Sequence, residues 1–286
     1  MAINAVRARR AAAVLVVAVL VAAGVGYAAY RALEHVTASP PPPPGCQAGN
    51  GANAITLDTG QAGIAATIAA VAARHRLPRQ AVTVALATAM QESDLENLDY
   101  GDRDSVGVFQ QRPSQGWGTA ADLQDPVYAT TKFYAALVAI PHYAKLPVDV
   151  AAQDVQRSAD GTAYSQYDYV AGQLAGDLTG QPAHSVTCWY TPAVGQRADA
   201  TLAAQGLKQT FGGTSRTGVA IKMRNKTVYR VAGSYGWTAA SWLVTHAAQY
   251  QITQVRYAGY MWKAADGSMG WQRDPPTPAQ GSIVAG

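Results

Sequence analysis

Glu92 is the side chain in this sequence best placed for acid–base chemistry, because it stands at the end of an apolar segment that begins at Arg79. Three small residues, Ala81, Ala85 and Thr88, lie on the same helical face as Glu92 and leave room for another molecule there. A carboxyl group that faces an apolar wall at the C-terminal end of a helix keeps its proton more readily than one in water. We therefore expect Glu92 to face a groove and to act as a proton donor.

A loop rich in glycine, glutamine and aspartate follows Glu92 and could complete a ligand site. Gly107 would let a ligand approach the backbone closely, Gln110 can hydrogen-bond amide and hydroxyl groups, and Trp117 offers a flat face for a sugar ring. A proton donor beside such groups suits cleavage of a glycosidic bond, in which the leaving oxygen is protonated as an oxocarbenium-like centre develops. The pattern therefore favours a glycosidase.

Three aspartates in this loop, Asp99, Asp102 and Asp104, are candidates for a second carboxylate. In a hydrolase, one of them would position water or stabilise the cation. The alternative is that they cap turns and pair with Arg103 or Arg112. Their spacing lacks the alternating ligands and the distal glutamate of a twelve-residue calcium loop, and we predict neither a metal site nor a cofactor.

The Glu92-Ser93 pair, followed fifteen residues after Glu92 by GVFQ at 107–110, resembles the Glu-Ser and Gly-Leu-Met-Gln motifs of the lysozyme-like soluble lytic transglycosylase superfamily. Goose-type lysozymes are relatives of that superfamily. The longer run GDRDSVGVFQQRPSQGWGT is similar to a group of exported, membrane-anchored actinobacterial proteins built on this domain. The resemblance implies a mainly helical, lysozyme-like domain that cleaves the MurNAc-GlcNAc linkage of peptidoglycan as a lytic transglycosylase or a muramidase.

Site roles follow from this resemblance one residue at a time. Glu92 corresponds to the sole essential acid/base, Ser93 to a serine that supports the site, and Gln110 to a glutamine at the cleft. The family often carries an Ala-Tyr-Asn-x-Gly segment on a later helix, where this chain has AYSQY at 163–167. The supporting tyrosine is therefore either Tyr164 or Tyr167. This departure keeps open the alternative of a catalytically inactive, wall-binding or cell-envelope scaffold protein.

Helices must position these residues, and the spacing of apolar side chains predicts five of them around the loop. The predicted helices span Gly60–His75, Arg79–Glu92, Val127–Ile140, Val148–Ser158 and Tyr164–Leu178. Beyond them, alternating residues predict strands, TAASWLVTHAAQY predicts a helix, and a hairpin is predicted to turn at Asp266-Gly267. The fold class predicted is a mainly α lysozyme-like domain with a small β or irregular insert, a small C-terminal α+β module and an N-terminal transmembrane helix.

Twenty uncharged residues from Ala11 to Tyr30 follow Arg7, Arg9 and Arg10, which is the length and flanking charge of a membrane-spanning helix. A cleaved signal peptide is the alternative reading of this segment. Both readings place the bulk of the chain outside the cytoplasm, either anchored in the cell membrane or secreted.

Cys46 and Cys188 are the only two cysteines, and in an oxidising compartment an isolated pair favours a disulfide. That bond would bracket the lysozyme-like domain. Residues 46–286 carry 18 basic and 17 acidic side chains, a near balance that argues against a nucleic-acid partner. The predicted partners are peptidoglycan glycan strands and, through one helix, the membrane; the sequence identifies no protein partner.

The predicted organisation runs along the chain in seven segments. These are a cytoplasmic tail (1–10), a transmembrane anchor (11–30), a proline-rich stalk (31–45), the lysozyme-like catalytic domain (46–190), a linker (191–216), a small α+β module (217–273) and a tail (274–286).

Overall fold

The computed structural model describes residues 16–31, 42–157, 161–192, 195, 197–212, 220–221, 227–230, 233–275 and 282–286. The chain divides into two compact units, Met1–Pro43 and Pro44–Gly286. The predictions for residues 1–15 and 32–41, which include the cytoplasmic tail and most of the stalk, fall outside the described residues.

In the first unit, residues 16–31 form one exposed helix, α1. Crossing the hydrocarbon core of a bilayer takes about 20 consecutive apolar residues. Among the described residues, no helix has both the length and the apolar character needed to span a membrane. The prediction of an N-terminal transmembrane helix is therefore wrong, and the predicted fold class is corrected accordingly.

The second unit is mainly helical and contains two antiparallel sheets. Its first helices begin where the sequence provides capping groups. The Asp58 side chain accepts the N–H of Gln61, whose own side chain accepts the N–H of Asp58, so both ends of a capping box are made. Asp125 caps the helix that opens with Pro126. The helices are α2 (Thr59–His75), α3 (Arg79–Ser93), α4 (Ala120–Leu123), α5 (Pro126–Val138), α6 (Val148–Gln156) and α7 (Asp168–Leu178).

Helix α3 lies at the centre of the core, since every residue from Ala81 to Met90 is buried. Its alanines allow close approach by α7, α6 and α2, which pack around it. A helix that is buried on all sides cannot carry a charge except near an end. Glu92 therefore emerges from the core only in the last turn of α3.

A three-stranded sheet joins the two ends of the predicted lysozyme-like domain. Its strands are β1 (Gly45–Ala48), β2 (Ile55–Leu57) and β3 (Val186–Trp189), in the order β2-β1-β3. Cys46 and Cys188 face each other across β1 and β3 and form a disulfide, so the predicted bond is confirmed. The bond joins residues 142 positions apart, and the chain-entropy model assigns such a loop about 5 kcal/mol of stabilisation.

The remaining elements form a six-stranded antiparallel sheet with three helices. They are α8 (Ala200–Phe211), β4 (Ala220–Ile221), β5 (Thr227–Arg230), α9 (Gly236–Thr245), α10 (Ala247–Tyr250), β6 (Gln254–Tyr257), β7 (Tyr260–Lys263), β8 (Gln272–Arg273) and β9 (Ser282–Ala285). The strand order is β4-β5-β9-β6-β7-β8. Helix α8 falls within the predicted linker 191–216, and β9 falls within the predicted tail 274–286, so both segments contribute ordered structure that the sequence reading did not assign.

The C-terminal sheet is attached to the first domain through β3. The indole N–H of Trp262 donates to the Cys188 carbonyl at 2.8 Å, and the indole N–H of Trp271 donates to the Val186 carbonyl at 2.8 Å. The Thr187 hydroxyl donates to the Gly267 carbonyl at 2.6 Å. These bonds occupy the outer edge of β3, which would otherwise be an open sheet edge. Residues 44–286 therefore form one compact unit.

Candidate active site around Glu92

Glu92 lies in the last turn of α3 and is partly exposed. Its Oε1 atom accepts a hydrogen bond of 2.7 Å from the Tyr164 hydroxyl. Tyr164 is only 1% exposed and belongs to a 3-10 segment, Gly161–Tyr167, that packs on α3 and α6. The phenol ring is thus held by the core, and its hydroxyl fixes one oxygen of the carboxyl group.

The structure distinguishes the two candidate tyrosines by their positions. Tyr167 is partly buried at the N-cap position of α7 and packs on the hydrophobic core. It is Tyr164 whose hydroxyl donates a hydrogen bond to Glu92. A second contact supports the same segment, because the Gln166 side-chain amide donates to Gln91 Oε1 at 3.0 Å. Two consecutive residues of α3, Gln91 and Glu92, therefore accept hydrogen bonds from the 3-10 segment.

Ser93 supports the loop that follows and does not face solvent. Its hydroxyl is buried and lies 2.7 Å from the Val108 carbonyl and 3.1 Å from the Ala89 carbonyl. Val108 and Phe109 are fully buried, and Phe109 stacks on Phe133 with ring centroids 4.5 Å apart. The loop is thereby anchored both to the end of α3 and to α5.

The turn at Gly107 has a backbone conformation that glycine adopts readily. Gly107 has φ +79°, and a Cβ at this position would collide with the Leu123 carbonyl oxygen. Its N–H donates to the Leu98 carbonyl at 2.7 Å. Packing within the loop gives a reason for this glycine that involves no ligand, and the close approach of a ligand at Gly107 stays a prediction.

Gln110 is partly exposed at the edge of this turn, with φ +46°. Its side-chain amide donates to the Tyr100 carbonyl at 3.2 Å and to the Gly107 carbonyl at 3.3 Å. The amide oxygen lies where a Cβ on Gly101 would be, so Gly101 leaves the space that Gln110 fills. Trp117, the proposed sugar platform, is partly buried against the core.

Asp104 has a structural role, as the capping alternative predicts. It accepts the Ser114 N–H at 2.7 Å, the Arg112 Nε–H at 2.9 Å and the Ser114 hydroxyl at 3.0 Å. The Ser114 N–H, followed by the Arg112 and Ser114 side chains, holds the pKa of this carboxyl group well below its usual range. Asp104 is therefore charged and committed to the turn.

The other two aspartates, Asp99 and Asp102, are exposed. Asp102 lies 3.9 Å from the Arg103 Nε atom, and both side chains are largely in water. Neither aspartate is hydrogen-bonded to Glu92. Within the described residues, no group of three or more His, Cys, Asp or Glu side chains could hold a metal ion.

Sequence reasoning missed two glutamines that organise the site. The Gln156 amide at the end of α6 donates to the Phe109 carbonyl at 2.9 Å, and Gln166 holds Gln91. Both contacts join residues far apart in the chain, and a lone glutamine has no local pattern that would single it out. Only the packing of α6 and the 3-10 segment against α3 brings these groups together.

Comparison with known proteins gives no further guide to this site: no protein-family model matches the chain, and no curated protein matches it. The arrangement itself is that of a partly exposed carboxylic acid whose one oxygen is held by a buried phenol. The other oxygen can donate or accept a proton, which is the requirement for general acid–base catalysis.

Proposed function

We propose that this protein is a peptidoglycan-cleaving glycosidase, a lytic transglycosylase or muramidase that acts on the MurNAc-GlcNAc linkage and uses no cofactor. The observation that carries the proposal is the Tyr164 hydroxyl on Glu92 Oε1, at the end of a buried helix and beside the 107–110 loop. The sequence resemblance of Glu92-Ser93 and of residues 107–110 supplies the substrate class.

In this mechanism, Glu92 first acts as the acid. Its proton passes to the oxygen that leaves with GlcNAc, the bond from that oxygen to C1 of MurNAc breaks, and positive charge develops at C1. The Glu92 carboxylate then removes a proton from the nucleophile that attacks C1. This nucleophile is the C6 hydroxyl of the same MurNAc in a transglycosylase, or water in a muramidase, and either step restores the protonated Glu92.

Tyr164 has a positioning role in this scheme. Its hydroxyl donates to Oε1, so the transferred proton resides on Oε2. Because the phenol is buried and belongs to a segment packed on α3, the carboxyl plane is fixed before substrate binds. Such preorganisation lowers the cost of bringing the acid into line with the leaving oxygen.

The test is digestion of purified sacculi by the protein, followed by mass measurement of the released muropeptides. We expect release by the wild type and loss of release by Glu92→Gln. Glu96→Gln, which changes an exposed carboxylate three residues beyond α3 in the same way, serves as the matched control and should retain activity. Products lighter by one water than those of a hydrolase would identify the transglycosylase route, whereas equal release by Glu92→Gln and wild type would refute the proposal.

The second candidate function is a wall-binding scaffold without turnover. It is favoured by the engagement of the Gln110 amide with the Tyr100 and Gly107 carbonyls, which leaves that amide less available to a substrate. Retention of the protein on sacculi, with no muropeptide released under any condition, would support it. Under either function we propose an extracytoplasmic location, since the Cys46–Cys188 disulfide requires an oxidising compartment to persist.

A further inference from the structure

We infer that a cavity between β1, β3 and the Gly267–Met269 turn is a second saccharide-binding site, remote from Glu92. The inference rests on the proposed function, because the ligand is taken to be an N-acetylated amino sugar of the same polymer. The cavity has a volume of about 360 Å³, which is in the range of small-ligand sites.

The cavity and Glu92 lie towards opposite ends of α7. Tyr164 and Gln166, which contact Glu92 and Gln91, lie just before the first residue of α7. Ser185, which lines the cavity, has its hydroxyl 3.5 Å from the Asp177 carbonyl in the last turn of the same helix. The eleven residues of α7 span about 16 Å at 1.5 Å per residue. The cavity is therefore separate from the catalytic centre proposed above.

Uncharged hydrogen-bonding groups dominate the wall of this cavity. Its polar side chains are Gln47, Asn50, His184, Ser185, Thr187 and Ser268, and no aspartate, glutamate, lysine or arginine of the described residues lines it. Such amides and hydroxyls match the hydroxyl and acetamido groups of a neutral sugar. The carboxylates of a peptide stem would find no lysine or arginine among these lining residues, so the lining favours the sugar over the peptide.

Several of these groups have hydrogen-bonding capacity to spare. Asn50 and Ser268 are exposed at the rim, and their side chains make no hydrogen bond to the described residues. Thr187 uses its proton on the Gly267 carbonyl, which leaves the lone pairs of its oxygen as acceptors. The site thus offers both donors and acceptors at its mouth and in its wall.

Two rings of fixed orientation form the other part of the wall. The indole N–H of Trp271 is held by the Val186 carbonyl, and Trp237 lies edge-on to the Trp271 ring with centroids 5.2 Å apart. His184 has φ +48°, an uncommon conformation for a residue other than glycine, and its ring stacks on Tyr260 with centroids 4.3 Å apart. Rigid flat rings beside uncharged polar groups are the usual elements of a sugar site.

A second site on the same compact unit has a functional consequence. A glycan strand bound there would remain near Glu92 between cleavage events, and the cleavage site would bind it at a higher effective concentration. The cavity therefore assigns to the C-terminal sheet, through Ser268 and Trp271, a role in retaining the polymer.

The experiment uses the full chain with Glu92→Gln, so that no ligand is consumed, and titrates it with the tetramer of N-acetylglucosamine. The readout is the NMR signal of the Trp271 indole N–H, assigned with Trp271→Phe, because this signal reports the cavity and not the cleft. We expect it to shift on titration. In Asn50→Ala/Ser268→Ala the midpoint should move to about tenfold higher ligand concentration or more, as expected for the loss of two hydrogen bonds. Gln205→Ala, an exposed amide on α8, is the matched control and should not move it.

An unchanged midpoint in the double variant would overturn the inference, as would a Trp271 signal that does not respond to the tetramer. A response to a charged stem peptide in place of the tetramer would also overturn it. Both substituted residues are exposed, so thermal unfolding should remain that of the parent. If wild type releases no muropeptide and the Trp271 response still depends on Asn50 and Ser268, the proposed glycosidase fails while the saccharide site stands.

Discussion

The Tyr164 hydroxyl lies 2.7 Å from Glu92 Oε1, although the two residues are 72 positions apart in the chain. Tyr164 is buried and Glu92 is partly exposed, so a group fixed in the core sets the orientation of a group at the surface. Because a phenol donates its single proton to one carboxyl oxygen, it separates the two oxygens into one that is held and one that can react. This asymmetry is the feature from which the proposed acid–base role follows.

Tyr164→Phe removes only the hydroxyl, and we expect it to lower the rate of muropeptide release by about tenfold to a hundredfold, because the carboxyl group loses its fixed orientation. Binding to sacculi should change little. Tyr167→Phe is the matched control. Tyr167 belongs to the same 3-10 segment, but the hydroxyl that donates to Glu92 belongs to Tyr164. Equal rates for the two variants would contradict a positioning role.

Ser93→Ala tests the link between α3 and the 107–110 loop. The Ser93 hydroxyl is buried 2.7 Å from the Val108 carbonyl, and its removal leaves that buried carbonyl with less hydrogen bonding. We expect the free energy of unfolding to fall by about 1–3 kcal/mol, measured by denaturant titration. Ser165→Ala, which removes an exposed hydroxyl that donates to Thr162, should cost less; a larger loss for Ser165→Ala would speak against this account.

Gly107→Ala separates steric collision from backbone strain. Gly107 (φ +79°) and Gly116 (φ +82°) have nearly the same conformation, but only at Gly107 would a Cβ meet the Leu123 carbonyl, while at Gly116 it would meet open space. We expect Gly116→Ala to cost about 1 kcal/mol and Gly107→Ala to cost clearly more, in the range of about 2–4 kcal/mol. Chemical denaturation of both variants measures the difference, and equal losses would exclude the collision as the cause.

Local signals in the sequence predicted the helices around the site closely. Helix α2 begins at Thr59, one residue before its predicted start, and α3 begins at Arg79 as predicted. These boundaries are set by neighbours in the chain: the Asp58 and Gln61 capping box and the proline before Arg79. Short-range chemistry of this kind can be read without knowing the fold.

Elements that depend on distant contacts were read less well. The predicted linker 191–216 is polar and rich in glycine, yet Gly206 lies within α8, where a Cβ would collide with the Tyr250 hydroxyl. The predicted hairpin turn at Asp266-Gly267 is confirmed, because it lies midway between the antiparallel strands β7 and β8. The hairpin of β6 and β7, joined at Ala258-Gly259, was not predicted. Gly267 also packs its backbone against Cys188. In both cases the glycine serves close packing with a partner that the local sequence does not identify.

At the Glu92 site, too, local features were predicted and features that depend on distant contacts were not. The motif residues singled out Glu92 as the candidate acid, which stays a prediction. The choice between Tyr164 and Tyr167 was open, since both belong to one short segment. The contacts of Gln166 with Gln91 and of Gln156 with Phe109 likewise depend on helix packing. Sequence alone could not assign these roles, because each is defined by an element more than 40 residues away.

Asp177 provides a test of stability against pH, because the residue is 3% exposed and its Oδ2 atom has no hydrogen-bond partner among the described residues. Burial raises the pKa of Asp177, and the Ser185 hydroxyl offsets this only in part. With the folded pKa above the unfolded value, the folded state binds more protons between the two. The folded state is therefore progressively destabilised as pH rises from the unfolded value of 3.8 through the raised folded value.

Asp177→Asn removes this titration and keeps the shape of the side chain. We expect the variant to be more stable than the wild type at pH 7 by about 1 kcal/mol or more, and this difference to shrink at pH 3, where the wild-type carboxyl group is protonated. Denaturant unfolding at the two pH values provides the measurement. Asp154→Asn, which removes an exposed carboxylate on α6, is the matched control for the loss of one negative charge. A gain for Asp177→Asn that is equal at both pH values would show that ionisation of Asp177 is not its cause.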